Sequence, residues 1–181
     1  MRNSTRSRSL RPVVAGAALL GMGGTTLAHA ARPAAPAASQ HIMVKPEDVH
    51  WGPPVAALPP GARMAVIEGD PTVAGKLFTF RFRFPAGYRL PPHFHPADEH
   101  VTVLSGELFM GTGEKFDASK AEALPPGSFV VMPANQRHFA FARQPTEIQV
   151  HAVGPWGITY VNPKDDPRNT ATGDAGMQEE P

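Results

Sequence analysis

The run Lys76-Leu-Phe-Thr-Phe-Arg-Phe-Arg-Phe84 constrains the architecture of this chain more than any other, because it sets Phe78, Phe80, Phe82 and Phe84 at a strict period of two. Successive side chains of an extended strand point to opposite faces, so four phenyl rings lie on one side and Leu77, Thr79, Arg81 and Arg83 on the other. A strand of this kind must lay its aromatic face against a second layer. That face is expected to be core, the other use of such a stripe being the wall of a hydrophobic cavity. Arg81 and Arg83 are expected in solvent or paired with acids. The remaining apolar runs are short and separated by Gly and Pro turns: Met64 to Ile67, Val101 to Leu104, Glu107 to Met110, Phe129 to Met132, His138 to Phe141, Ile148 to Val153 and Ile158 to Val161. No segment keeps a helical period, although Phe116 to Ala123 has room for one turn, capped near Asp117. Eight short strands point to a single all-β domain over residues 41–164, a double-sheet jelly-roll barrel with Greek-key connections.

Chemistry concentrates between Gly87 and Gly106, in Gly-Tyr-Arg-Leu-Pro-Pro-His-Phe-His-Pro-Ala-Asp-Glu-His-Val-Thr-Val-Leu-Ser-Gly. On a strand, His93 and His95 project the same way with Cα atoms about 6.5 to 7 Å apart, close enough for two imidazoles to meet one cation. Pro96 suits the loop that follows. On the next strand Glu99, Val101 and Val103 share a face, which makes Glu99 a better inward ligand than its neighbours Asp98 or His100. A fourth ligand, His138, opens a strand after the Gly127-Ser-Phe-Val-Val-Met-Pro-Ala-Asn-Gln-Arg-His138 segment.

The first stretch resembles the first motif of the cupin superfamily, Gly-x5-His-x-His-x3-Glu-x6-Gly, at every fixed position. The second resembles the second cupin motif at Gly127, Pro133 and His138, but has Asn135 in place of a glycine and Ala142 in place of an asparagine. Asn tolerates the left-handed backbone that a glycine would supply in that turn. The resemblance implies a small single-domain cupin whose His93, His95, Glu99 and His138 hold one divalent ion, Fe, Mn, Ni or Zn. Three neutral imidazoles and a carboxylate leave one or two coordination positions open. Similarity to cupin dioxygenases implies O2-dependent cleavage of an enol or diketone-like molecule, with Glu99 doubling as a base. Hydrolase or isomerase chemistry on Zn or Mn would use the same ligands, and a non-catalytic module that binds or senses a small ligand is the alternative.

At the N-terminus, Arg2, Arg6, Arg8 and Arg11 precede a short apolar run from Val13 to Leu20, and Ala28-His29-Ala30 is an Ala-x-Ala cleavage site. This pattern predicts a bacterial Sec-type signal peptide over residues 1–30 and a periplasmic or secreted protein without a stable membrane anchor. An apolar run broken by Gly16, Gly21, Gly23 and Gly24 falls short of the about 20 residues a transmembrane helix needs. There is no Arg-Arg pair for the twin-arginine route and no cysteine for lipidation. Four of the seventeen Lys and Arg lie in the leader and none of the sixteen Asp and Glu, so residues 31–181 carry a formal charge of −3. With no basic cluster, nucleic acid is not an expected partner; a small molecule is. Absence of cysteine leaves the core, with or without a metal, to hold the fold. Residues 31–40, rich in Ala and Pro, read as a linker, and 165–181 as a disordered tail.

Outside the motifs, Glu147, Gln149 and His151 share one face of their strand. Facing inward, Gln149 and His151 would be acid/base or supporting groups; facing outward, surface residues. Trp156 and Tyr160 are expected to plug the end of the barrel. Trp51 is expected to lead an arm over the barrel or onto a second subunit, since many cupins form homodimers through such elements.

Overall fold

A computed structural model describes residues 41–170. The expected signal peptide and linker, and the part of the expected tail beyond Thr170, lie outside the described residues. Ten strands form two antiparallel sheets. In chain order they are β1 (Arg63–Glu68), β2 (Leu77–Phe84), β3 (Arg89–Phe94), β4 (Glu99–Ser105), β5 (Leu108–Thr112), β6 (Glu122–Leu124), β7 (Phe129–Met132), β8 (His138–Ala142), β9 (Thr146–Val153) and β10 (Thr159–Tyr160). One sheet runs β1-β2-β9-β4-β7 and the other β10-β3-β8-β5-β6, the jelly-roll arrangement. Among the described residues no helix is long and apolar enough to cross a membrane.

The period-two reading of β2 holds. Phe78, Phe80, Phe82 and Phe84 are all buried, and across the β2–β9 ladder Phe82, Phe80 and Phe78 stand opposite Ile148, Val150 and Ala152. Both expected uses of the stripe occur: Phe78 and Phe80 are fully enclosed, while Phe82 and Phe84 line the interior cavity. On the outer face Arg81 donates to Gln149 at 2.9 Å, and Arg83 pairs with Glu147 at 2.9 Å. The second sheet buries both faces of β8. Outside, Phe109 stacks on Phe141, Phe116 packs against Phe139 and Phe141, and the Arg89 and Arg143 guanidinium groups lie over these rings. Gly111 stands opposite Phe139 in the β5–β8 register, and the space a Cβ would fill is taken by that ring.

Ten strands replace the expected eight because two lack an apolar signature. β3 carries Pro91 and Pro92, which have no N–H to give; its pairing with β8 breaks between Leu90 and His93, where those donors would fall. β6 is a three-residue edge with two exposed residues. The expected turn near Asp117 is a 3-10 turn over Ala118–Lys120, with the Asp117 carboxylate accepting from the Ser119 amide. Residues 165–170, assigned from sequence to the tail, begin as ordered structure. Asn162 caps a 3-10 turn at Pro163–Asp165, Pro167–Thr170 forms one helical turn, and Arg168 Nη2 donates to the Ile158 carbonyl at 3.1 Å. These local hydrogen bonds hold a segment too polar to be kept by burial.

Trp51 lies over its own barrel. Its ring takes the Arg83 guanidinium at 4.0 Å, and Gly52 exchanges hydrogen bonds with the Met64 carbonyl and the Arg63 side chain. The chain continues as a strap that buries Leu58 and Ala62. Tyr88 Oη donates to the Pro59 carbonyl and Tyr160 Oη to the Ala57 carbonyl, at 3.2 and 2.9 Å.

Candidate metal centre

His93 and His138 are directly paired across β3 and β8, so both side chains leave the sheet on the same, inner side. His95 follows one residue after β3 and rejoins them two positions on. The ring centroids are 4.2 Å (His93–His138), 4.9 Å (His93–His95) and 5.3 Å (His95–His138) apart. One ring nitrogen from each lies within 4.8 Å of the other two. Glu99 opens β4 and, with Val101 and Val103, faces inward, while His100 is exposed on the outer sheet face against Phe129. None of the four site residues is more than 6% exposed.

Two cross-links bring the motifs together. The turn before His138 is left-handed at Asn135 (φ 63°), whose amide donates to the His95 carbonyl at 2.9 Å. Asp98 accepts from the Ala134 amide at 2.8 Å. The asparagine in the glycine position thus adopts the conformation the sequence required of it. Ala142 is buried; its amide donates to the Tyr88 carbonyl.

The hydrogen bonds set the state of the imidazoles. Nδ1 of His93 lies 2.7 Å from the Pro91 carbonyl, Nδ1 of His95 2.7 Å from the Gly157 carbonyl, and Nδ1 of His138 2.9 Å from the Gln136 carbonyl. A carbonyl only accepts, so each Nδ1 carries the proton and each neutral ring presents a bare lone pair on Nε2. Burial, reinforced by the neighbouring His138 and His95, pushes the His93 imidazole well below its ordinary range; burial likewise lowers His138. Those two rings are therefore held neutral. Nε2 of His95 faces Oε2 of Glu99 at 3.4 Å. The donor set of three imidazoles and a carboxylate suits a divalent transition metal.

The compact donor group is the three histidines, and Glu99 stands beside it. Its Oε1 accepts from Trp156 Nε1 at 2.9 Å. The Trp156 indole stacks on His95 at 5.9 Å and packs edge-on against Phe80. Expected only as a plug, Trp156 also orients the carboxylate. Gln149 and His151 face outward, in a polar ladder where Thr79 bonds His151 Nδ1 and Gln149 bonds His151 Nε2. Below the histidines lies a cavity of about 30 Å³ walled by Leu58, Phe82, Phe84, Leu90, Val101, Leu108, Met110, Ala140, Ile148, Val150, Trp156 and Ile158.

Residues 39–156 match the family described as the ChrR cupin-like domain. A search of curated protein sequences returns no match. Among solved structures, the polyketide cyclase RemF from Streptomyces resistomycificus superposes with a TM-score of 0.59 at 19% identity, covering 74% of this chain and 94% of that one. A candidate acetylacetone dioxygenase from Methylibium petroleiphilum PM1 gives 0.54 at 23% identity, covering 71% and 86%. An RmlC-like cupin from Shewanella frigidimarina gives 0.50 at 15% identity, covering 64% and 91%. At these identities the likeness speaks for the fold.

Proposed function

This chain belongs to the ChrR cupin-like domain family of the cupin superfamily, and on that footing we propose that it is an exported mononuclear metalloenzyme acting on a small organic molecule. The observation that carries the metal is the triple Nδ1–carbonyl anchoring, which aims three Nε2 lone pairs at one buried point. His93, His95 and His138 would hold the ion, with the Glu99 carboxylate as a fourth ligand. A bound divalent ion supplies Lewis-acid polarisation of a substrate oxygen or, if it is iron, manganese or nickel, access to oxygen chemistry.

The protein's own groups do the rest. Apolar walls exclude water and strengthen each electrostatic contact inside. Among the described residues Glu99 is the one carboxylate lining the cavity and therefore the group able to take a proton there; the Trp156 N–H fixes Oε1, and Oε2 would serve as the base when it is released from the ion. Oxygenase chemistry fits this set, as does a metal-assisted hydrolysis or isomerisation. A non-catalytic ligand-binding module is the second reading, favoured by the narrowness of the cavity and by the lack of a second acid or base in its lining.

Export rests on the basic, apolar and Ala-x-Ala succession before Ala31. Its test is fractionation with N-terminal sequencing, where Ala31 is the expected first residue and an uncleaved cytoplasmic protein would refute it. The test of the centre is elemental analysis of protein from residue 31, prepared without tag or chelator. Near one equivalent of iron, manganese, nickel or zinc is expected. No metal, and no uptake of any on addition, would overturn it. Turnover of candidate substrates by the loaded protein then separates enzyme from binding module.

A further inference from the structure

We infer that the ligand this cavity selects is a small monoanion with a single polar end and a compact apolar body. The inference rests on the metal-centre reading and comes from what the remaining walls lack. Apart from the three histidines and Glu99, every residue lining the cavity is apolar, among them Leu58, Phe82, Leu90, Leu108, Ile148 and Ile158. Among the described residues no lysine, arginine, serine, threonine or amide side chain reaches it. The one wall residue with a polar hydrogen, Trp156, has already given it to Glu99. The three Nδ1–H groups are likewise committed to backbone carbonyls. A second polar group on a ligand would be buried without a partner, at a cost that disfavours binding.

Charge decides the rest. Three neutral imidazoles and one carboxylate around a divalent cation leave a net +1 in an apolar enclosure. A monoanion brings the enclosure to neutrality. A neutral ligand leaves the positive charge uncompensated, and a dianion overshoots, with no side-chain cation to meet its second charge. The cavity measures about 30 Å³, where about 10 to 15 Å³ admits one water, so the body is limited to a few carbon atoms. Sugar phosphates, polyols and dicarboxylates are excluded by the same walls.

The test is isothermal titration calorimetry on the zinc-loaded protein, its zinc content measured first, with two isosteric pairs of probes. Isobutyrate against isobutyramide isolates the charge; 2,3-dimethylbutyrate against methylmalonate replaces a second carboxylate by an isopropyl group of equal size. Isobutyrate is expected to bind at least tenfold tighter than isobutyramide, and 2,3-dimethylbutyrate at least tenfold tighter than methylmalonate. If neither larger acid enters, the smaller pair decides alone. Loaded protein that binds isobutyramide as well as isobutyrate, prefers methylmalonate, or binds no acid at all overturns the inference, whereas protein that takes up no zinc fails the metal-centre reading instead. In zinc-loaded Glu99→Gln the enclosure gains a unit of positive charge, so methylmalonate should improve at least tenfold relative to 2,3-dimethylbutyrate; an unchanged ratio refutes the charge argument.

Discussion

An imidazole whose Nδ1–H is tied to the backbone has its Nε2 aimed before any ligand arrives, so removing one ring should cost the centre more than a third of its hold. His138→Ala is expected to lower metal occupancy and the melting temperature of the loaded protein together, while His100→Ala, on the exposed outer face, leaves both near wild type. Elemental analysis beside thermal melts checks this. Trp156→Phe keeps an aromatic ring but deletes the donor to Glu99. Its expected effect is a loss of about 10- to 100-fold in metal affinity by chelator competition, with little change in the melting temperature of metal-free protein. His93 and His95 were legible in the sequence because strand parity sends them the same way, and Glu99 because it shares the inward parity of Val101 and Val103 on β4. Trp156 was not: its partner is 57 positions away, and its short segment has no period to reveal which way the indole turns.

At the level of elements, β8 is the most constrained strand, since both of its faces are buried and one lies over a glycine. Gly111→Val pushes a side chain into the space of the Phe139 ring and should cost about 1–3 kcal/mol, read from urea melts. The turn that delivers His138 depends on Asn135 at φ 63°. Asn135→Ala retains the left-handed requirement without the side chain that tolerates it, and about 1–2 kcal/mol of stability is expected to go. β2, β4, β7, β8 and β9 could be read from their apolar runs and alternation. β3 could be read only at its histidine end, because its two prolines hide the rest, and β6 could not be read, because an exposed three-residue edge is defined by its partner rather than by its own residues.

For the whole molecule, the buried histidines link folding to acidity. The folded His93 and His138 imidazoles titrate below their ordinary value, so the unfolded chain binds more protons once the pH falls below about 6.5. Their contribution to stability is complete above that pH and is lost as the pH falls toward the folded values. The urea midpoint of metal-free protein should therefore drop between pH 7.5 and pH 5.5, and bound metal should oppose the drop until protons displace it. The strap carrying Leu58 has a different consequence. Part of the cavity wall comes from a loop anchored by two tyrosine hydroxyls, and that loop is expected to open as a separate local unit at a free energy below that of global unfolding. Amide hydrogen exchange should show residues 55–62 opening many times more often than β2 or β9, and Tyr160→Phe should quicken that opening without softening the sheets.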